Sequence, residues 1–345
     1  MTFLRIFIYL ILILGVAEQA PAGVPVALSR HNDDIDATLR GEMADVNERL
    51  IESIRDNDPS VMLDVFMQEI RDRNKTEKGL ETLYAQLGKH IGDKPIHLLH
   101  EFHVTTQAID KGIVSIAAET PHPFIMQVEA MSDEMYISLY VVEGPMRDLM
   151  LGFIHMKVDG RWQLHGFHTG SYTVAGKTAF DWIREGKEFL EKGQSLPAAL
   201  RLQIASTCIR PVPFMKYEEE AGYLELAEGV KKAVEGRFQF PGKLTEVESA
   251  PELYSIQYHF LEGSLMPLVN YITTYSLDDQ KTLQDEVNAM TPVLVDIFPG
   301  IDQGTRFILY NIFTERPLDP THRKYESRGI GVKVGEKVEL IRPQT

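Results

Sequence analysis

One cysteine, Cys208, stands in 345 residues, so no disulfide can close within the chain and its stability must come from burial. With 44% hydrophobic residues there is enough apolar material for two or three cores. Positive charge is scarce: 35 Lys and Arg against 50 Asp and Glu leave a formal charge of −15. With no basic cluster to offset it, this argues against nucleic acid or an anionic lipid surface as a partner. Complete catalytic motifs are missing too. There is no Gly-x-Ser-x-Gly elbow and no Ser-x-x-Lys. Gly329-Ile330-Gly331 lacks the third glycine and helix of a dinucleotide site. Gly170 to Thr178 ends in Gly-Lys-Thr, but the position of the first glycine of a phosphate loop, with four residues between it and Gly176, is Ser171. That segment reads as a domain junction.

What is present begins with an address. Arg5 precedes an apolar run, Ile6 to Val16, followed by small residues through Ala17 and Ala20-Pro21-Ala22. This is the order of a secretory signal peptide over residues 1–22, cleaved after Ala17 or Ala22. The run is well short of the ~20 apolar residues a bilayer span needs. The expected product is an exported protein, periplasmic or secreted, with no stable membrane span after cleavage. Cys208 lies in the apolar stretch Ile204 to Ile209 and reads as a buried structural thiol.

Residues 23–38 have no periodicity and read as a flexible leader. Leu39, Met43, Val46, Leu50 and Ile54 recur at helical spacing, and Asp58-Pro59 signals the capped start of a second helix. A third is expected at about Glu77 to Leu87. The period then changes to that of strands: Ile96 to Thr105, Gly112 to Ala118, Phe124 to Glu129, Met135 to Glu143, Leu149 to Val158 and Trp162 to Tyr172. Asp159-Gly160 between the last two is a hairpin turn dipeptide. Helices followed by a meander of strands predict an α+β domain with helices on one face of a curved antiparallel sheet. Further on, Trp182, Gly186, Phe189, Ala198, Leu202 and Ala205 predict two closely packed antiparallel helices within a helical segment, 176–240. A small α+β domain follows at 241–345, with strands near Leu253, Leu265, Arg306 and Ile330 and a helix beginning near Asp278.

On these features residues 39–175 resemble the nuclear transport factor 2-like superfamily, the closing hairpin at Asp159-Gly160-Arg161-Trp162-Gln163-Leu164 most of all. The resemblance implies a cone-shaped α+β fold whose inner sheet face lines a cavity. It says little about function, because that fold carries isomerases, dehydratases, cyclases and non-catalytic pockets. Residues 177–211 resemble a single tetratricopeptide repeat, with Glu185 where that motif usually has leucine. One repeat cannot bury its own face, so a docked hairpin is expected rather than a peptide-binding array.

Eight of the eleven histidines fall between His90 and His168. On a strand, His97, Glu101 and His103 share one face and His100 the other. His97 and His103 are then too far apart to share an ion unless the strand bends, so no metal is expected. Strict alternation puts Trp162, Leu164, Gly166 and His168 together on the closing strand. His103, Trp162 and His168 are therefore the expected pocket-lining residues; no catalytic residue is assignable and no cofactor is implied. The leading functional expectation is a non-catalytic binding or assembly protein, with a small molecule or a protein segment as partner. The alternative is a cone-fold hydrolase, isomerase or dehydratase using a cavity histidine and a carboxylate.

Overall fold

The computed structural model describes residues 23–71, 76–107, 112–261, 263–317 and 325–334. The expected signal peptide, residues 1–22, lies outside them. The described residues are α+β and form two compact units: 23–178 with Thr207–Glu220, and Ala179–Ser206 with the described residues from Ala221 onward.

In the first unit, β1 (Val26–His31) leads through a short 3-10 turn into α1 (Ala37–Arg55), α2 (Pro59–Val65), α3 (Gln68–Arg71) and α4 (Thr76–Ile91). Asp36 caps α1 by accepting the N–H groups of Thr38 and Leu39, and Asp58 caps α2 with Pro59 in its first turn. Then come β2 (Ile96–Thr106), β3 (Gly112–Ala118), β4 (Phe124–Ala130), β5 (Glu134–Val142), β6 (Leu149–Val158) and β7 (Arg161–Ser171). Asp159 and Gly160 both take positive φ, the conformation of a tight two-residue turn, and join β6 to β7. A small hairpin, β8 (Thr173–Val174) and β9 (Lys177–Thr178), turns at Ala175-Gly176 and takes up the Gly-Lys-Thr sequence.

The strands make two antiparallel sheets: β1-β2-β5-β6-β7, and β10-β4-β3, where β10 is Met215–Tyr217. One face of the larger sheet carries Leu151, Phe153, Leu164 and Phe167 against Leu50, Ile54, Met62, Tyr84 and Leu87 of the helices. Its other face meets the smaller sheet through Phe102 and Phe124, whose rings stand edge to face at 6.2 Å. The returning segment lies so close on this face that a Cβ at Gly170 would sit 2.2 Å from the Pro211 carbonyl oxygen, and one at Gly152 2.9 Å from the Phe214 ring.

The second unit begins with the helical hairpin α5 (Ala179–Glu191) and α6 (Ser195–Ala205), turning at Gly193 with positive φ. A Cβ at Gly186 would lie 3.2 Å from Leu202, which explains the small residue there. The chain continues through α7 (Glu220–Glu235) to β11 (Gly242–Lys243), β12 (Glu252–Leu261), β13 (Ser264–Ile272), α8 (Gln280–Ile297), β14 (Phe307–Phe313) and β15 (Ser327–Lys333). These strands form one sheet in sequence order, with only the β13–β14 pair parallel. A parallel pair needs a long crossover, and α8 supplies it. Leu283, Val287, Met290 and Leu294 of α8 pack on Val269, Tyr271, Ile308 and Tyr310 of the sheet.

Three features differ from the sequence reading. Part of the expected leader, Val26–His31, is a strand because β2 offers it an edge. The helical segment is no separate part: Leu196 and Leu200 of α6 enter the core of the second unit. Residues 207–220 instead return to the first unit, where β10 pairs with β4. Among the described residues no helix is long and apolar enough to cross a membrane.

Candidate functional site

Alternation along the larger sheet of the first unit brings a polar cluster onto its helix-facing side. Glu101 and His103 come from β2, Glu134 and Tyr136 from β5, Lys157 from β6 and Trp162 from β7. The capped start of α1 adds Leu39 and Arg40 above them.

Two linked groups make up the cluster. Glu101 is 5% exposed, which obliges its charge to find partners. Its Oε1 accepts from Arg40 Nε at 2.5 Å and its Oε2 from the Tyr136 hydroxyl at 2.5 Å. Arg40 reaches out to Asp33 through Nη1 at 2.8 Å. The hydrogen bond to Glu101, with a second to Asp33, raises the Arg40 pKa; burial, then the Glu101 bond, raises that of Tyr136 and keeps its hydroxyl a donor. In the second group Glu134 lies 3.0 Å from His103 Nε2 and 3.0 Å from Lys157 Nζ. That ammonium stands 5.2 Å from the centre of the Trp162 ring, a cation–π arrangement. Trp162 also meets Tyr136 edge to face at 6.2 Å and packs with Leu39 on Ile35 and Met43. The result is a half-buried indole beside charges that neutralise one another in pairs.

His103 is oriented by Glu134 through Nε2, while its Nδ1 is buried without a hydrogen-bond partner. That nitrogen is enclosed by the protein, so Glu134 on Nε2 is what orients the ring.

Deeper on the same face lies a closed network. His155 Nε2 is 2.9 Å from Asn47 Oδ1, and Asn47 Nδ2 donates to Ser138 and Tyr140. Because that Oδ1 can only accept, His155 carries its proton on Nε2. Burial pulls its pKa down to about 3. Buried except at Tyr140, this network ties α1 to the sheet.

Of the expected pocket residues, His103 and Trp162 lie on one face of the sheet, linked through Glu134 and Lys157, and His168 does not. An irregularity in the β6–β7 register between Ile154 and His155 leaves His165 as an extra residue, so His155 pairs with Leu164 but Gly152 with His168. The slip turns His168 to the opposite face, where it meets Phe214 at 5.4 Å and burial lowers its pKa to about 4. A second irregularity, between Leu98 and His100, removes His97 from the face of Glu101 and His103. His97 pairs instead with Glu143 at 2.8 Å on the surface. Among the described residues no cluster of three or more His, Cys, Asp or Glu side chains is placed to hold a metal ion. Cys208 is buried just past α6, and burial pushes its thiol up to about 12.

Arg40, Glu134, Tyr136 and Lys157 were not expected at the site. Alternation on β5 and the tight turn at Gly160 were enough to place Glu134, Tyr136, Lys157 and Trp162 on one face; the approach of Arg40 depends on how α1 packs. Comparison with known protein families, with curated proteins and with solved structures finds no match for this chain.

Proposed function

We propose that this protein is an exported binding protein and that the Trp162–His103 cluster holds a small amphipathic molecule or a short protein segment. The observation that carries the reading is the pairing of Arg40 with Glu101 and of Glu134 with His103 and Lys157 around a half-buried indole. Rigid, mutually neutralised charges beside an aromatic face suit recognition, because they are ordered before the ligand arrives. The resemblance of residues 39–175 to the nuclear transport factor 2-like superfamily supports a pocket on this face, and the pattern of residues 1–22 supports export. Native mass spectrometry of the protein purified from its own compartment should show a bound mass. Trp162→Ala and His103→Ala should each lose it while keeping the circular dichroism of the parent. A parent protein that carries no adduct, or variants that keep it, would sink the reading.

A second reading rests on the hydrogen bond between His103 and Glu134. In it the His103–Glu134 pair serves as a general base in a hydrolase, isomerase or dehydratase. The two separate on His103→Gln: catalysis would lose its rate at saturating substrate, whereas binding alone would lose only affinity.

A further inference from the structure

We propose that the open edge of β3 is an interface at which two copies of this protein join, β3 against β3, about a two-fold axis at Ala117. β3 ends the smaller sheet, with β4 on one side and no strand on the other among the described residues. Two hydrogen bonds fix which backbone groups are left over. Gln127 N–H donates to the Phe214 carbonyl oxygen, away from β3, so Gln127 and Ser115 face each other without exchanging hydrogen bonds. The Ile113 carbonyl oxygen likewise accepts from Val24 N–H and not from β4. Ile113, Ser115 and Ala117 therefore turn their backbone groups to the outer edge, while Val114 and Ile116 bond to β4. Val24 occupies the start of that edge. Beyond it Ser115 and Ala117 are exposed, and no described residue bonds their backbone on that side.

This edge is unguarded. From Gly112 to Ala118 the strand has no charge, no proline and no irregularity in its register with β4, the devices by which sheet edges ordinarily avoid one another. The side chains of Ser115 and Ala117 are small, so a second backbone can approach to the ~4.8 Å spacing of paired strands.

A second copy supplies a strand of matching pattern. In an antiparallel register centred on Ala117, that residue exchanges both backbone hydrogen bonds with the partner's Ala117, and Ser115 lies opposite the partner's Glu119. A register centred nearer Ile113 would collide with Val24. On the outer face Lys216, Ile125 and Ala117 follow one another across β10, β4 and β3. Ile125 is 37% exposed, large and apolar. The two-fold axis joins Ile125 and Ala117 of both copies into one apolar band with a lysine at each end. No like charges come directly opposite each other, in a chain at −15 whose acidic surfaces repel one another elsewhere. A strand pair this short buries less than the ~1,200 Å² of a standard interface, so the dimer is weak and forms with rising concentration.

Sedimentation velocity of the full chain from about 5 µM to about 500 µM tests the interface. The sedimentation coefficient should rise from that of a monomer to that of a dimer. Ala117→Lys sets two ammonium groups opposite each other at the axis, on an exposed position, and should weaken the dimer about tenfold or more. Ala117→Cys should form an intermolecular disulfide under mild oxidation, because paired Cα atoms about 5.5 Å apart suit that bond, and its yield should fall on dilution. The parent, whose Cys208 is buried, should form none. A chain that stays monomeric to about 500 µM overturns the proposal. So does a dimer left unchanged by Ala117→Lys with the circular dichroism of the parent. If the lysine variant does not fold, the cysteine variant decides, and the absence of its crosslink overturns the proposal as well.

Discussion

His155 shows how far burial can carry one residue from its ordinary behaviour. Its folded-state pKa is about 3 against 6.5 for an exposed imidazole, so between those values the unfolded chain binds a proton that the folded chain does not. The folded state is therefore penalised as pH falls through that window and is free of the penalty above 6.5. His168 and His100, both lowered to about 4, act in the same direction. The urea midpoint of the first unit should fall steadily between pH 7 and pH 4. His155→Gln, which keeps a donor toward Asn47, should make that fall shallower; an unchanged slope would show that His155 is not a titrating contributor. Gly170 is the steric counterpart. A methyl group there meets backbone at 2.2 Å, so Gly170→Ala should destabilise by about 2 kcal/mol or more in equilibrium unfolding.

Among the elements, strand ends and turns were legible because their chemistry is local. Asp58-Pro59 caps α2, and Asp58→Ala should cost roughly 1 kcal/mol in denaturant unfolding. Asp159-Gly160 makes the β6–β7 turn with φ of +75° at the glycine, where an alanine is strained; Gly160→Ala should also destabilise by about 1 kcal/mol. The strands at 112–118 and 149–158 coincide with their expected bounds. Bulges were not legible. A register slip leaves no mark on composition, yet one extra residue reverses every side chain beyond it. That is why His168 parts from Trp162, and His97 from His103, although strict alternation joins them.

At the scale of the whole molecule the chain crosses between its units more than once. The first unit is incomplete without residues 207–220, which bring Met215 to Tyr217 onto β4 and Phe214 onto the face of Gly152. A fragment of residues 23–178 should therefore expose Met126 and Phe124, bind a hydrophobic dye and unfold at lower denaturant than the same unit in the full chain. Adding the 207–220 peptide should partly reverse the dye signal; a fragment as stable as the parent would show that the returning segment is dispensable.

By itself the sequence determined the α+β class, the order of the longer helices and strands, the closely packed helical hairpin and the face shared by Glu101 and His103. These follow from periodicity, capping and turn residues, all of which act within a few positions. Tertiary structure alone decided which distant charges meet. Arg40 and Glu101 are 61 positions apart, and only the packing of α1 on β2 brings them together. It decided too that His103 and Trp162 lie on one face of the sheet while His168 lies on the other. Burial, register and the approach of remote segments are properties of the assembled fold, and local pattern carries no term for them.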